Sequence, residues 1–330
     1  MTPVLRSRTI FTLIAVVALV AACSGSTGGL GSVPTSEPTA FAEPTSPDLT
    51  PGPSGGVSPS NEPSTEPSAS PDASVAPSAS PSSTDTMIVR AYFVLGGKPG
   101  VVGLVPVLRV VPKSTAVATA AMKALLGGPT KVESGAPAIT TAIPDGTTLL
   151  GLSAKNGVAT VNLSTQYDSG SGSDSMHFRL AEVVYTLTQF STIKSVVFQI
   201  DGETVTVFGS EGIVLAGPVG RADYYDQLPA IFVDRPAFGA AFAPGGRVAG
   251  NANVFEAAFR VAVLDAAGKS LADQQVMASC GTGCRGTFNA TLGYTVSKGQ
   301  WGTLRAYDLS AKDGTLENVR EYPVWLTPGG

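Results

Sequence analysis

The sequence predicts an α+β domain, an antiparallel sheet with two helices, followed by an all-β immunoglobulin-like sandwich. Three observations carry this. Composition changes abruptly at Met87, from a Pro-rich stretch with one aromatic residue to alternating apolar runs. Between residues 87 and 216 the runs order as strand, strand, helix, two strands, helix, two strands. Turn residues join most neighbouring strands, which packs the helices on one face of a mainly antiparallel sheet. From residue 229 onward, seven short strand-like runs follow one another in roughly 100 residues, the spacing of an immunoglobulin-like sandwich.

The N-terminus reads as an address. Arg6 and Arg8 precede an apolar run from Ile10 to Ala22, interrupted by Thr12. At about a dozen residues the run falls short of the roughly 20 that a bilayer span takes, so residues 1–23 read as a signal segment. The run ends in Val20-Ala21-Ala22-Cys23, which resembles a bacterial lipobox, and this resemblance implies a lipid-modified Cys23. The rival reading is an ordinary cleaved signal in which Cys23 is incidental. A diacylated cysteine would give stable two-chain anchoring at a membrane surface.

Residues 24–86 hold twelve prolines, seven acids, no Lys or Arg, and Phe41 as their sole aromatic. Such a composition cannot bury enough apolar surface to offset chain entropy, so it predicts a disordered tether. It would reach roughly 45 Å on average and about 200 Å when extended. Residues 87–330 carry 18 acids and 19 bases, so the net charge of −4 belongs to the tether. A neutral folded part lacks the basic footprint of a nucleic-acid binder. One histidine without a Cys/His cluster does not supply the usual zinc or haem ligands. No cofactor and no metal are expected.

In the first domain, Ile88–Leu95 reads as a strand closed by Gly96-Gly97, and Leu104–Val111 as a second strand carrying Arg109. Ser114 is a candidate N-cap for a helix with Val117, Ala121, Ala124 and Leu125 on one face, stopped by Gly127-Gly128-Pro129. Thr147–Ser153 and Val158–Leu163 flank Asn156-Gly157, a hairpin signal. A second helix places Met176, Leu180, Val183, Val184 and Leu187 along one face. Ser195–Ile200 and Thr204–Phe208 close the domain around Asp201-Gly202.

Tyr92-Phe93, Pro106 to Val111 and Leu125 to Pro129, taken in order, resemble the GerMN domain of sporulation and germination proteins. Ala142 to Thr147, Gly157 to Ser164, Thr186-Leu187-Thr188 before Phe190, and Ile200-Asp201-Gly202 continue the match. The resemblance covers about residues 87–216. It implies an α+β fold related to ring-building modules of envelope assemblies, an oligomer possible through this domain, and no catalytic residues to carry over. Arg109, Asp201 and Gly202 fall in its motifs. A charge among strand formers needs a partner or an exposed edge. Arg109 is expected to pair internally, with an acid such as Asp201; contact with a partner protein is the other reading.

Residues 217–228 read as an interdomain linker. Beyond it, Ala230–Val233, Arg247–Gly250, Val254–Leu264, Ser270–Ser279, Gly286–Tyr294, Gly302–Leu309 and Asn318–Leu326 are the expected strands of residues 229–330. Asn253 to Glu256, the Asp265 to Gly268 turn, Gly286-Thr287-Phe288 and Leu309 to Gly314 are similar to the immunoglobulin-like module Gmad2, which accompanies GerMN domains. Phe255 is expected to pin its strand by burial, with Glu256 in local hydrogen bonds. Cys280 and Cys284 form an even pair around the flexible Gly281-Thr282-Gly283, and a disulfide is expected outside the cytoplasm. Two free thiols, or half of a metal site without further ligands, are the competing readings. Trp301 and Trp325 are expected in the sandwich core; a sugar-stacking platform is the alternative.

Catalytic patterns are weak. Gly281 to Gly286 spells GxGxxG but precedes a strand instead of a helix. Ser191 and Lys194 match SxxK between a helix and a strand, without the companion SDN or KTG signatures. Ser173, Asp174 and His177 read as a helix start, with Ser173 as cap and Asp174 at the positive end of the dipole. The expected function is therefore a non-enzymatic, lipid-anchored cell-envelope protein that binds envelope or membrane proteins as a scaffold or assembly accessory. Cell-wall polysaccharide binding is the alternative, and an enzyme acting on peptidoglycan the third reading. Nucleic acid is not an expected partner.

Overall fold

The computed structural model of the chain describes residues 85–97, 101–135 and 138–329. The signal segment, Cys23 and nearly all of the tether lie outside the described residues. No helix among those described is long and apolar enough to cross a membrane.

Strands β1 (Thr86–Leu95) and β2 (Gly103–Pro112) form a long antiparallel pair in which Met87 faces Val111 and Leu95 faces Gly103. Helix α1 (Val117–Leu126) follows. Its N-cap position falls on Ala116, and Ser114 instead accepts the Ala116 N–H at 3.0 Å, so the expected cap closes a turn just before the helix. Strand β3 (Ile139–Thr140) pairs with the other edge of β1. Strands β4 (Leu149–Lys155) and β5 (Val158–Leu163) form the expected hairpin. Asn156 and Gly157 at its tip have φ of 54° and 84°, the left-handed pair that a two-residue hairpin turn requires.

Helix α2 (Ser173–Leu187) then crosses over to β6 (Ser195–Ile200), which lies parallel to β5. A 15-residue helix between two strands favours a parallel crossover, so this one pair departs from the otherwise antiparallel plan. The single closing strand expected over Thr204–Phe208 divides in two. Strand β7 (Glu203–Thr204) stays on β6, whereas β8 (Val207–Phe208) pairs with β9 (Ile213–Val214). Phe208 is fully buried against the Tyr167 ring, 5.3 Å away, and this burial draws the chain off β6. Both helices contact β1 and β2, while α1 also reaches β4 and α2 reaches β6, so the helices join the sheet of β1 to the sheet of β4 to β7.

Every residue of α2 from Arg179 to Leu187 is buried. A helix covered nearly all round places its charges inside. Arg179 is satisfied by the carbonyls of Ala142, Tyr167 and Ser169. Glu182 accepts from the Thr141 hydroxyl and, at 2.7 Å, from the Ala142 N–H. Burial pushes the Glu182 carboxyl up to about 8, against the pull of those donors and of Arg179.

The second domain has eight strands. They are β10 (Ile231–Arg235), β11 (Ala241–Phe242), β12 (Gly246–Ala252), β13 (Ala258–Leu264), β14 (Ser270–Met277), β15 (Gly286–Leu292), β16 (Gln300–Leu309) and β17 (Leu316–Leu326). One sheet has the order β10-β12-β15, the other β11-β17-β16-β13-β14, and all pairs are antiparallel except β11 with β17. Phe259 and Phe288 meet edge to face at 4.8 Å between the sheets. The connecting segment is not a free linker, because a 3-10 helix at Arg221–Gln227 packs on α2 and buries Tyr224.

One hydrophobic core runs through both domains. Phe232 of β10 lies 5.8 Å from the Tyr185 ring and 6.5 Å from the Tyr92 ring, centroid to centroid. The Tyr92 hydroxyl donates to Asp234, and Arg221 stacks 4.6 Å from the Tyr185 ring centre while donating to the Tyr92 hydroxyl at 3.2 Å. Farther along the seam, the Phe238 N–H donates to the Pro106 carbonyl at 2.9 Å. Gly103 backs onto Pro229 so closely that a Cβ there would sit 2.6 Å from the proline ring. Arg320 of β17 is buried and donates to four carbonyls of the first domain: Val101 (2.6 Å), Leu104 (3.0 Å), Gly103 (3.2 Å) and Leu95 (3.5 Å). Burial pushes its guanidinium down to about 10.

Two outcomes are expected. Arg320→Met should lower stability by about 3 kcal/mol, because it strands buried carbonyls while keeping volume, read as a shift in the denaturant midpoint. Glu182→Gln should change the pH profile. The Glu182 carboxyl titrates near 8 in the fold against 4.5 in its ordinary state, so its contribution is complete at low pH and is lost as pH rises from about 4.5 through 8. Thermal melts of the wild type should fall across that window, and those of Glu182→Gln should fall less.

Candidate functional site

The outer face of the five-stranded sheet carries the residues that most resemble a binding surface. Trp301 on β16 lies directly opposite Trp325 on β17, and their rings meet edge to face with centroids 5.3 Å apart. They are 52 % and 38 % exposed, so the expected core placement is overturned. The cause is register. Gly302, Leu304, Val324 and Leu326 are the buried members of these strands, and period-two alternation sends their neighbours outward. The next pairs on the outer face are Thr303 with Pro323 and Arg305 with Glu321, the latter an ion pair. A second polar group on this sheet joins Tyr307, Asp273 and Arg260: the Tyr307 hydroxyl and the Arg260 Nε donate to the Asp273 carboxylate at 2.7 and 2.9 Å. Two exposed aromatic rings beside planar polar groups can stack on a sugar or anchor a protein partner.

Arg109 pairs internally, but with Glu133 instead of Asp201. Its two terminal nitrogens each lie 2.7 Å from a Glu133 oxygen, and its guanidinium stands 5.1 Å from the centre of the Phe93 ring. Burial works against the Glu133 charge, yet Arg109 and Thr130 outweigh it and hold the carboxyl below its usual range. Asp201 is instead tied to the β6–β7 turn. It accepts from the Thr165 hydroxyl, and the Gly202 N–H donates to Asn162 at 2.9 Å. Thr130 and Glu133 sit in a loop whose acid the strand pattern could not place beside β2.

Cys280 and Cys284 are joined in a disulfide. The closed loop is stitched to the turn before β13: the Thr282 N–H donates to the Val254 carbonyl at 2.9 Å, the Gly283 N–H to Asn253 at 3.1 Å, and the Glu256 N–H to the Thr282 hydroxyl at 2.9 Å. This turn replaces the start of the expected strand. Phe255–Ala257 forms a 3-10 turn with positive φ at Glu256 and Ala257, and Phe255 is 58 % exposed instead of buried. Glu256 contributes its backbone, not its carboxylate, to the local hydrogen bonds described.

Ser173 does not cap α2. Gly172 holds the N-cap position, and the His177 Nδ1 donates to the Ser173 carbonyl at 2.9 Å, which leaves the ring engaged with backbone and not with the hydroxyl. Ser191 and Lys194 lie in the turn between α2 and β6.

Comparison with protein families matches two models to this architecture. Residues 90–206 match Germane, described as sporulation and spore germination, and residues 230–315 match Gmad2, the immunoglobulin-like domain of bacterial spore germination. The chain carries a Germane domain followed by a Gmad2 domain. No curated protein matches it significantly. Among solved structures it is similar to the first GerMN domain of the sporulation protein GerM from Bacillus subtilis, with 24% identity over 42% of this chain and 99% of that one, at a TM-score of 0.35. The tandem GerMN domains of the same protein match at 16% identity over 63% of this chain and 62% of that one, TM-score 0.36. CopC from Methylosinus trichosporium OB3b matches at 15% identity over 30% of this chain and 93% of that one, TM-score 0.20. The assignment rests on the two family matches.

The Gmad2 match ends before Arg320 and Trp325, and the Germane match ends before Arg221. Arg221 and Arg320 thus lie outside both matches, whereas Asp234 falls within the Gmad2 match, and sequence reading missed all three. The available signal was a charge directly following an apolar strand former, as in Val233-Asp234 and Val319-Arg320. Because Phe255 is exposed, Phe255→Ala should shift stability by about 0.5 kcal/mol or less, whereas truncating a core phenylalanine costs about 3 to 5 kcal/mol. Chemical denaturation of the two variants separates these cases.

Proposed function

We propose that this protein is a non-enzymatic, lipid-anchored scaffold or accessory of envelope assembly, of the sporulation and germination type. It would be held through Cys23 at the outer face of the bacterial cell membrane and raised from it by the 24–86 tether. Its working parts would be the first domain, residues 87–216, the connecting segment 217–228 and the second domain, residues 229–330. The observation that carries this reading is the core shared by both domains, which makes their outer faces parts of one body. Such a body presents surfaces in a fixed relation, as a scaffold requires. Exposed apolar pairs across strands, Ile88 with Val110 and Leu309 with Leu316, offer contact points for envelope or membrane proteins, or for a further copy of the first domain.

Crosslinking in intact cells followed by recovery of the tethered protein should yield one or a few membrane proteins. Recovery of wall fragments without a consistent protein would overturn the scaffold reading. The exposed Trp301–Trp325 pair favours one second reading, a module that binds wall polysaccharide. In that case purified sacculi should retain the full chain, and Trp301→Ala or Trp325→Ala should abolish retention while leaving the melting curve in place.

A further inference from the structure

The outer face of the three-stranded sheet β10-β12-β15 forms the floor of an open cleft of about 740 Å³ against the Arg221 segment. Its lining contains three arginines, Arg221, Arg235 and Arg247, and one carboxylate, Asp234. That carboxylate is already engaged, since it accepts from the Tyr92 hydroxyl and lies 3.9 Å from Arg221. The other two guanidiniums are uncompensated. Arg247 donates only to the neutral amide of Asn289, at 3.0 Å, and the Arg235 guanidinium has no hydrogen bond or ion pair among the described residues. Both side chains are exposed, so neither is held by burial. In a domain set whose charge is balanced overall, this cleft concentrates positive charge on one face.

The floor between the arginines is polar and low. Period-two alternation brings Ala249 and Asn251 of β12 beside Asn289 and Thr287 of β15. Gly250 between them closes the sheet tightly, because a Cβ there would fall 1.9 Å from the Phe232 carbonyl oxygen. Asn and Thr side chains on such a floor hydrogen-bond hydroxyl groups, and spaced arginines pair with phosphate oxygens. Arg235 pairs across with Ala249, and Arg247 stands two residues away on the same strand, about 7 Å along it. This places the charges in sequence along the cleft and not around one point. A single small anion would engage one of them; an anion that repeats would engage both.

We propose that this cleft binds a chain of polyol phosphates, with Arg235 and Arg247 pairing to successive phosphodiesters and Asn251, Asn289 and Thr287 meeting the hydroxyls between them. Phe232 and Phe288 line the cleft but are buried, so it offers no exposed ring on which a nucleobase could stack. The floor is the face of a sheet whose central strand is already paired on both sides, so an acidic peptide would find no strand edge to extend there. The inference stands on the cleft alone and does not depend on the scaffold reading.

The test is titration of the purified full chain with a synthetic glycerol-phosphate octamer, at low and at raised salt. The octamer should bind, and more weakly as salt rises. The double variant Arg235→Gln/Arg247→Gln should lose about tenfold or more in affinity, with an unchanged unfolding midpoint. Lys155→Gln, at the exposed β4–β5 hairpin of the first domain, should bind as the wild type does. Three competitors complete the experiment: inorganic phosphate, a single-stranded DNA and a polyglutamate of matched charge. The proposal is overturned if the octamer does not bind, if the double variant binds it equally, or if any of the three competitors binds as tightly as the octamer.

Discussion

Arg320 carries a positive charge into the seam between two domains, and the charge is solvated there by four backbone carbonyls instead of by an acid. Removing a guanidinium from water is tolerable when its donors are met in fixed directions. The carbonyls come from the facing ends of β1 and β2 and the segment between them, so the geometry of that hairpin is part of the binding set for Arg320. Phe232, Tyr92 and Tyr185 fill the other end of the seam, where Asp234 and Arg221 satisfy the Tyr92 hydroxyl and the Arg221 carbonyl accepts from the Tyr185 hydroxyl. Separating the domains would uncover the rings and release the Arg320 contacts together.

A rigid seam changes what the surfaces mean. The tryptophan pair lies on the outer face of the five-stranded sheet, and the arginine-lined cleft on the outer face of the three-stranded sheet. The two sheets pack face to face, so these surfaces point to opposite sides of the sandwich. The cleft also borrows Arg221 from the segment joining the domains, and docking the first domain against β10 is what completes its wall. A sandwich with the same strands but a hinged neighbour would have the tryptophan face and not the complete cleft.

Buried polar groups follow the same logic inside the first domain. Arg179 and Glu182 stand one helical turn apart on α2: Arg179 donates to the carbonyls of Ala142, Tyr167 and Ser169, and Glu182 accepts from the Thr141 hydroxyl and the Ala142 N–H. They fix how the loops on either side of β4 and β5 approach the helix. The disulfide loop does comparable work in the sandwich, where its amides and the Thr282 hydroxyl pin the turn that begins β13.

The sequence by itself determined the local elements, because helix periodicity, strand alternation and turn chemistry act over a few residues. The Asn156-Gly157 hairpin, both helices and nearly all sandwich strands stand where those patterns put them, and the pairing of Cys280 with Cys284 needed only a short flexible spacer. Tertiary structure decided which face each strand buried and which distant charge met which. Trp301 and Trp325 point outward because Gly302 and Val324 point inward, a register that alternation allows in either sense. Arg109 found Glu133 because a loop folded back beside β2, and Arg320 found its carbonyls more than 200 positions away in the chain. Interactions over such distances depend on how whole elements pack, and no local pattern encodes that packing.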